Sequence, residues 1–205
     1  MLTFQQFLGD VAEKGEAVNI LFEERLFNLA GILHKISDAL TAEGIPHEVV
    51  GGLAVLIHVE EASPEHATLT RDVDLLVQRS DLDRIKIAAA KQGFRFRHAA
   101  GVDMLIYGDT ESAKNAVHLV FSGEKVRPSY PAAAPPINPE RKNILGKEVM
   151  VIPVPELLRM KLTSNRDKDR VHVRSMDAAG LLTDEVETSL TPELQARLSH
   201  IRETE

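Results

Sequence analysis

Apolar residues recur at three- and four-residue steps over positions 18–43, which predicts a long amphipathic helix. The apolar stripe consists of Val18, Leu21, Phe22, Leu26, Leu29, Leu33, Ile36 and Leu40. Gly44 and Pro46 are predicted to end this helix. A short apolar strand at 47–50 then leads into the pair Gly51-Gly52, and a second helix is predicted over 53–59.

The stretch 69–77 is predicted to be a strand that carries Asp72 and Asp74. Residues i and i+2 of a strand point to the same face, so the two carboxylates would lie side by side. Two like charges at that distance are costly without a positive partner. Mg²⁺ takes carboxylate oxygens and is commonly shared with substrate phosphates, so the pair predicts a divalent cation site next to the strand that ends at Gly51.

Glycine, proline and helix-capping residues mark the ends of the remaining predicted helices and strands. We expect the fold class α/β (α+β), with helices packed on a small mixed β-sheet and additional helices at the C-terminus. The predicted helices are 80–92 with Ser80 as its cap, 156–162, one that begins within 163–174, and 191–202; the predicted strands are 94–98, 102–107, 116–121 and 148–152.

The domain organisation follows from the length of 205 residues and from a proline-rich stretch. Five of the ten prolines fall within 128–139, which excludes a helix or a central strand there and favours an extended arm. We expect residues 1–127 to form a catalytic core with an N-terminal helix, 128–147 a connecting arm, and 148–205 a strand and helices that complete the cleft. These parts are predicted to form one compact unit.

Composition narrows the function classes. The chain has no cysteine, which excludes disulfides, thiolate metal sites and a cysteine nucleophile. We expect a soluble, cytoplasmic protein with no membrane association, because the N-terminus lacks a signal pattern and no apolar run is long enough to span a bilayer. A net charge of −7 gives no overall attraction to nucleic acid, so any such binding requires a local basic patch.

That basic patch is predicted at 159–174, where six lysines and arginines face two aspartates. Lys161 falls within the apolar stripe of its helix, so its amino group must reach solvent or meet an anion. We expect Lys161 to be partly exposed. Lys125 and Arg127 are candidates either for a phosphate contact or for plain surface charge.

The order strand, Gly-Gly, helix, loop and Asp-x-Asp strand resembles the minimal nucleotidyltransferase superfamily related to DNA polymerase beta. Val50-Gly51-Gly52 and Asp72-Val73-Asp74 carry the resemblance, and the intervening loop is longer than the common form. Many members place a third carboxylate on a later strand, where this chain has His118, and Asp103 is the other candidate for that role. His118 would contact a phosphate or nucleophile, or hydrogen-bond within the sheet.

A helix ending in Met-Lys-Leu, an arginine turn and Lys-Asp opening a second helix are similar to the C-terminal motifs of the AbiEii-like nucleotidyltransferases, which are toxins of toxin–antitoxin pairs. The resemblance implies that Lys161 contacts nucleotide phosphates, with Arg166 and Lys168 nearby. It implies that Asp169 faces the site and supplies a further carboxylate. It also implies an NTP substrate, Mg²⁺ or Mn²⁺, and as further partners an RNA such as tRNA on the basic patch and an antitoxin.

Together these features predict an enzyme that moves a nucleoside monophosphate from an NTP to a hydroxyl of RNA, a small molecule or a protein. Asp72, Asp74, Lys161 and Asp169 form the expected catalytic set, with Asp72 and Asp74 as metal ligands. The expected nucleotide-binding residues are Gly51, Gly52, Arg71, His118, Arg166 and Lys168. Asp169, Asp103 and His118 are all candidates for the base. Two alternatives remain: a catalytically degenerate relative that binds nucleotide or a partner without transfer, and a scaffold whose acidic pair is surface charge.

Overall fold

A computed structural model describes residues 26–68, 70–108 and 116–204 of the chain. Seven strands and seven helices are found in these segments, so the fold is a mixed α/β fold as expected. The strands are β1 (His47–Val50), β2 (Val73–Val77), β3 (Phe94–Ala99), β4 (Val102–Tyr107), β5 (Ala116–Phe121), β6 (Glu140–Ile144) and β7 (Lys147–Val151). The helices are α1 (26–42), α2 (Gly51–Ala62), α3 (Leu82–Lys91), α4 (Val154–Ser164), α5 (Asp167–Ala178), α6 (Asp184–Thr188) and α7 (Pro192–Glu203).

All seven strands form one sheet in the order β3-β4-β5-β2-β1-β7-β6. The pairs β2–β5 and β1–β7 are parallel, and the other neighbours are antiparallel. The central strands β1 and β2 are buried almost throughout, including the polar residues His47 and Glu48 of β1, and only Asp74 of β2 is partly exposed. Because β7 pairs with β1, the C-terminal part of the chain completes the same sheet as the N-terminal part.

The helical layer packs on this sheet and brings the C-terminal helices to the start of α2. Helix α2 contacts β2, α4 and α5, and α4 in turn contacts α5 and α7. The core beneath includes the α1 residues Leu33, Ile36 and Leu40, which are at most 1% exposed. The predicted amphipathic face of this helix is thus confirmed from residue 26 onward, whereas 18–25 lie outside the described residues.

Several predicted boundaries differ from the structure. Helix α2 begins at Gly51 rather than at 53, and β2 begins at Val73, which leaves Asp72 just outside the strand. The predicted serine cap at Ser80 is wrong, because residues 79–81 form a 3₁₀ turn and α3 starts at Leu82 without a side-chain cap. Strand β6 and helix α6 were not predicted, and β6 lies within the stretch expected to be an arm.

None of the helices in the described segments is long and apolar enough to cross a membrane.

Candidate active site

One row of side chains crosses the sheet at the level of Asp74. The residue pairs in register are Val50 with Asp74, Asp74 with His118, and His118 with Met104. Directly opposed residues of neighbouring strands share a face of the sheet, so Asp74, His118 and Met104 point the same way. All three line a single cleft with a volume of about 960 Å³.

Gly51 forms the turn between β1 and α2 and lies against Asp74. Its φ of +72° is a left-handed conformation that favours glycine. A Cβ atom at this position would overlap the Asp74 carboxylate. The glycine therefore serves two purposes, since it allows the turn and gives the carboxylate room beside the start of a helix.

Asp72 lines the same cleft from the residue that precedes β2. Asp72 and Asp74 are both partly buried, so each is accessible from the cleft. The two carboxylates expected to lie beside the glycine turn are thus both at the cleft wall, although only Asp74 belongs to the strand. The hydrophobic Val73 between them is fully buried in the core.

Helices α4 and α5 form the opposite wall. Asn165 adopts a left-handed conformation with φ of +46° at the end of α4, and the chain turns sharply into α5 there. This turn brings Lys161 of α4 to Asp169 of α5, with 3.4 Å between Nζ and Oδ1. Asp169 also accepts hydrogen bonds from Ser164 Oγ and Arg166 Nε, each at 2.7 Å.

Burial, hydrogen bonds and neighbouring charges together set the pKa values of Lys161 and Asp169. Lys161 is 5% exposed, which corrects the expectation that it is partly exposed. Burial lowers the pKa of Lys161, while the nearby charges of Asp169 and Asp74 oppose that change. Burial acts to raise the pKa of Asp169, but the hydrogen bonds from Arg166 and Ser164 and the charge of Lys161 outweigh it and bring this pKa to about 2. Asp169 is therefore a fixed anion, saturated by its own neighbours.

His118 contacts Asp74, one of the two predicted metal ligands. Its Nδ1 lies 3.1 Å from Asp74 Oδ1, and 27% of the side chain is exposed in the cleft. The hydrogen bond to Asp74 raises the pKa of His118, and the charges of Asp74 and Asp72 add to this effect. When Nδ1 bonds to the carboxylate, the other ring nitrogen is left for a different partner.

Asp103, the other candidate for a third carboxylate, is directed away from this row. It pairs in register with Leu119, next to His118 on β5, so its side chain points to the opposite face of the sheet. Its two oxygens are engaged by Arg79 Nη1 at 2.7 Å and His98 Nδ1 at 2.5 Å. Arg79 also bonds Glu124, which makes a closed ionic network.

The donor set for a metal consists of two carboxylates. Within residues 26–68, 70–108 and 116–204, no cluster of three or more His, Asp or Glu side chains has the arrangement of a metal site. Mg²⁺ bound to an enzyme usually keeps several waters and takes one or two carboxylates together with substrate phosphates. Asp72 and Asp74 beside an open cleft fit that mode of binding, in which the substrate completes the ligand set.

Comparisons with solved structures identify the fold. The antibiotic-resistance factor ANT(2″)-Ia in solution has a TM-score of 0.53 and 15% identity, covering 84% of this chain and 90% of that chain. A crystal structure of ANT(2″)-Ia with adenylyl-2″-tobramycin gives the same values over 84% and 96%. An antigenic nucleotidyltransferase-like protein from Paracoccidioides brasiliensis has a TM-score of 0.54 and 16% identity over 86% and 88%. No family model and no curated protein matches the sequence.

This chain has the nucleotidyltransferase fold. Within that fold, the cleft brings together most residues predicted from the sequence, from both ends of the chain. Eight of the ten predicted site residues line it: Gly51, Asp72, Asp74, His118, Lys161, Arg166, Lys168 and Asp169.

The other two predicted site residues, Arg71 and Gly52, do not line the cleft. Arg71 is exposed and does not line the cleft. Gly52 is buried, and a Cβ atom there would lie 2.6 Å from Thr70 Oγ1 and 3.2 Å from His172 Cε1. Gly52 therefore allows α2 to pack closely against α5 and against the chain before β2.

Sequence reasoning missed three polar residues near the cleft. Ser164 fixes Asp169, and the serine two residues before the arginine turn gave a weak signal for it. His172 is buried beside Lys161 and Asp169, and burial together with the charge of Lys161 lowers its pKa to about 4. Glu48 is fully buried on β1, and no local pattern distinguishes it from a surface carboxylate in an antiparallel strand.

Proposed function

We propose that this protein is a metal-dependent nucleotidyltransferase that moves a nucleoside monophosphate from an NTP to an acceptor hydroxyl. One observation carries the proposal: the carboxylates of Asp72 and Asp74 share a cleft with the buried cation Lys161, next to the Gly51 turn. Paired carboxylates opposite fixed cations are what a magnesium–triphosphate substrate requires.

Binding of the triphosphate is assigned to both walls. The backbone at Gly51, at the start of α2, approaches phosphate oxygens closely because no side chain intervenes. Asp72 and Asp74 would hold Mg²⁺ or Mn²⁺, which would neutralise phosphate charge and assist the departure of pyrophosphate. Lys161, with Arg166 and Lys168 at the mouth, stabilises the negative charge that develops on the transferred group.

The reaction exchanges one phosphorus–oxygen bond for another. The acceptor oxygen attacks the α-phosphorus, the bond from that phosphorus to the bridging oxygen breaks, and pyrophosphate leaves with the bonding electron pair. The acceptor loses its hydroxyl proton, which needs a base within reach of the cleft.

His118 is the best candidate for that base. Asp103 points to the other face and is bonded to Arg79 and His98, and Asp169 is 99% or more buried with both oxygens in use. His118 is exposed in the cleft, and its Nδ1 is oriented by Asp74. In the tautomer with the proton on Nδ1, Nε2 accepts the acceptor's proton.

The alternative function is nucleotide binding without transfer. It is favoured by one feature, namely that the strand position opposite Asp74 is a histidine rather than a carboxylate. A protein of this kind would bind Mg-NTP in the same cleft and release it unchanged.

The finer assignment to the AbiEii-like toxins, with an RNA acceptor and an antitoxin, stays part of the proposal. Its motif residues Lys161, Arg166, Lys168 and Asp169 line the cleft, which supports it. The adenylyl-2″-tobramycin bound to ANT(2″)-Ia supports nucleotidyl transfer by a protein of this fold, with a small molecule as the modified group.

Transfer of label from α-labelled ATP, CTP, GTP and UTP tests the proposal. Total RNA, total protein and a small-molecule extract serve as acceptors, with Mg²⁺ or Mn²⁺ present. We expect label in one acceptor pool with the wild-type protein and none with Asp72→Asn/Asp74→Asn. Metal-dependent thermal stabilisation by an NTP without transfer would support the binding-only alternative, and no stabilisation by any NTP would reject both functions.

A further inference from the structure

The row of side chains that contains Asp74 continues beyond Met104 of β4 to one more strand, β3. Arg97 of β3 pairs in register with Met104 of β4, and Met104 pairs with His118. Asp74, His118, Met104 and Arg97 therefore project from the same face of four neighbouring strands. All four line the cleft.

If the proposed function holds, the two ends of this row bind different substrates, the nucleotide donor at one end and the acceptor at the other. Gly51, the phosphate-binding turn, adjoins Asp74 on the β1 side, and His118, the proposed base, lies on the β5 side. The phosphates of the nucleotide donor bind at the Gly51 end, so the acceptor hydroxyl approaches from the His118 end. The body of the acceptor then extends from His118 over β4 and β3.

The surface beyond His118 is apolar first and cationic at its far end. Met104 is partly buried and offers a flexible apolar surface that accommodates rings of different shape. Arg97 is exposed, and within the described segments no acid lies in salt-bridge range of it. Asp103, whose side chain points to the other face of the sheet, and Glu124 are both bound to Arg79, so neither pairs with Arg97.

Two further cations line the same cleft. Lys125 and Arg127 line the cleft from the turn after β5, are exposed, and make no salt bridge with any residue in the described part of the chain. Unpaired arginines and lysines in a cleft are suited to bind an anionic ligand group, with arginine able to bind phosphate or carboxylate through two donors at once.

We propose that Met104 and Arg97 form the acceptor subsite, and that the acceptor is an anion. A hydroxyl-bearing ring packs on Met104, and a phosphate or carboxylate of the same molecule binds Arg97. Two strand spacings separate His118 from Arg97, so the anionic group lies roughly 10 Å from the reacting hydroxyl. The long Arg97 side chain can shorten this separation, so a sugar ring with a phosphate substituent, whether it is free or at the end of a nucleic acid, can contact both residues.

Direct binding tests the subsite without requiring turnover. Ribose 5-phosphate and an RNA tetranucleotide with a free 3′ hydroxyl represent the two sources, and ribose and tobramycin are the uncharged and amine-bearing comparisons. We expect the wild-type protein to bind at least one of the two phosphate probes and neither comparison ligand. Arg97→Glu should weaken that binding roughly 10- to 100-fold, as expected for the loss of hydrogen bonds to a charged group.

Arg95→Glu is the matched control. Arg95 lies on the same strand and the same face, two residues away, and it is exposed but does not line the cleft. We expect Arg95→Glu to bind the phosphate probe like the wild type, and both variants to bind Mg-NTP like the wild type. Equal losses in the two variants would mean general electrostatic attraction and would overturn the subsite.

Other results also decide against the subsite. Wild-type binding of neither phosphate probe, or stronger binding of tobramycin, overturns the anionic acceptor. A fall in Mg-NTP affinity in Arg97→Glu, with unchanged probe affinity, assigns Arg97 to the donor and overturns the subsite too. Absence of Mg-NTP binding by the wild type would instead reject the proposed function, and the probe titration then reports on Arg97 separately.

Steady-state kinetics extends the test to Met104. Met104→Ala removes the surface on which the ring packs, so we expect the KM for the acceptor to rise about tenfold while the KM for the NTP stays the same. An increase confined to the NTP would contradict the assignment of this surface to the acceptor.

Discussion

Gly51 lies so close to Asp74 that any side chain at position 51 would overlap the Asp74 carboxylate. The absence of a side chain at Gly51 thus provides the space that the Asp74 carboxylate occupies. In sequence, 22 residues separate the two positions, and they meet because Val50 and Asp74 are paired across β1 and β2.

The contact predicts the behaviour of Gly51→Ala. The variant has two penalties: a left-handed conformation that costs a non-glycine residue roughly 1–2 kcal/mol, and displacement of Asp74. We expect loss of Mg-NTP binding together with a lower free energy of unfolding, measured by thermal shift with and without ligand.

Gly44→Ala separates the two penalties. Gly44 has a similar φ of +63°, but apart from its immediate chain neighbours no atom of the described residues lies within 4 Å of its Cβ position. We expect a smaller loss of stability, from the left-handed conformation alone, together with normal nucleotide binding. If Gly44→Ala also abolished binding, or Gly51→Ala retained it, the close approach to Asp74 would have no functional role.

The carboxylates are tested one at a time. Asp72→Asn and Asp74→Asn each remove one charge from the proposed metal site, so we expect transfer to fall on the order of 10²–10³-fold, as when one transition-state stabiliser is lost. Asp83→Asn is the control, because Asp83 is exposed on α3, away from the cleft, and pairs with Lys86. Circular dichroism should show an unchanged fold in all three variants, and normal metal-dependent NTP binding in both site variants would exclude the pair as the metal site.

Lys161 has a structural role as well as a proposed catalytic one. Its Nζ is buried 3.4 Å from the buried Asp169, so Lys161→Met leaves a buried anion with fewer partners and should cost about 3 kcal/mol of stability. We also expect transfer to fall about 10²-fold or more at temperatures where the variant is folded.

Lys147→Met provides the comparison for Lys161→Met. Lys147 pairs with Asp38 at 2.7 Å, but both side chains are more than half exposed, so its loss should change stability by less than about 1 kcal/mol. Urea unfolding measures both variants. A Lys161→Met protein as stable as Lys147→Met, with full transfer activity, would remove Lys161 from both roles.

Because the Glu48 carboxyl is buried, we expect the free energy of unfolding to depend on pH. Burial raises the pKa of Glu48 to about 7, and its Oε2 accepts a hydrogen bond from the backbone N–H of Asn138 while its Oε1 has no partner among the described residues. A carboxyl that is harder to ionise in the folded state binds its proton more tightly there than in the unfolded chain. Its contribution to stability is therefore favourable at pH 4 and is lost as pH rises toward 7.

Glu48→Gln removes this titration and keeps an oxygen for Asn138. We expect the variant to exceed the wild type in unfolding free energy by roughly 3 kcal/mol at pH 8, with the difference shrinking toward pH 4.5. Glu60→Gln, at an exposed position of α2, is the control substitution. Parallel urea-unfolding curves for Glu48→Gln and the wild type from pH 5 to 8 would contradict the raised pKa.

Local patterns in the sequence determined much of the fold. The three- and four-residue periodicity located α1 and α7, and turn residues located β3, β4 and β5 to within one residue. Strand β6 was missed because Glu140–Ile144 is largely polar, since it is an edge strand with mostly exposed side chains. The short α6 was missed because five residues are too few to show a helical period.

For the site, the sequence by itself determined which residue types were available: a Gly-Gly turn, two aspartates at i and i+2, and a lysine within an apolar stripe. Only the tertiary structure decided their partners. Strand register directed His118 to Asp74 and Asp103 to the opposite face, and the left-handed Asn165 turn buried Lys161 against Asp169. Strand register and burial depend on contacts between residues that are far apart in the chain, whereas periodicity and turn chemistry depend on residues that are close in sequence. A single sequence directly records only the contributions of residues that are close in sequence.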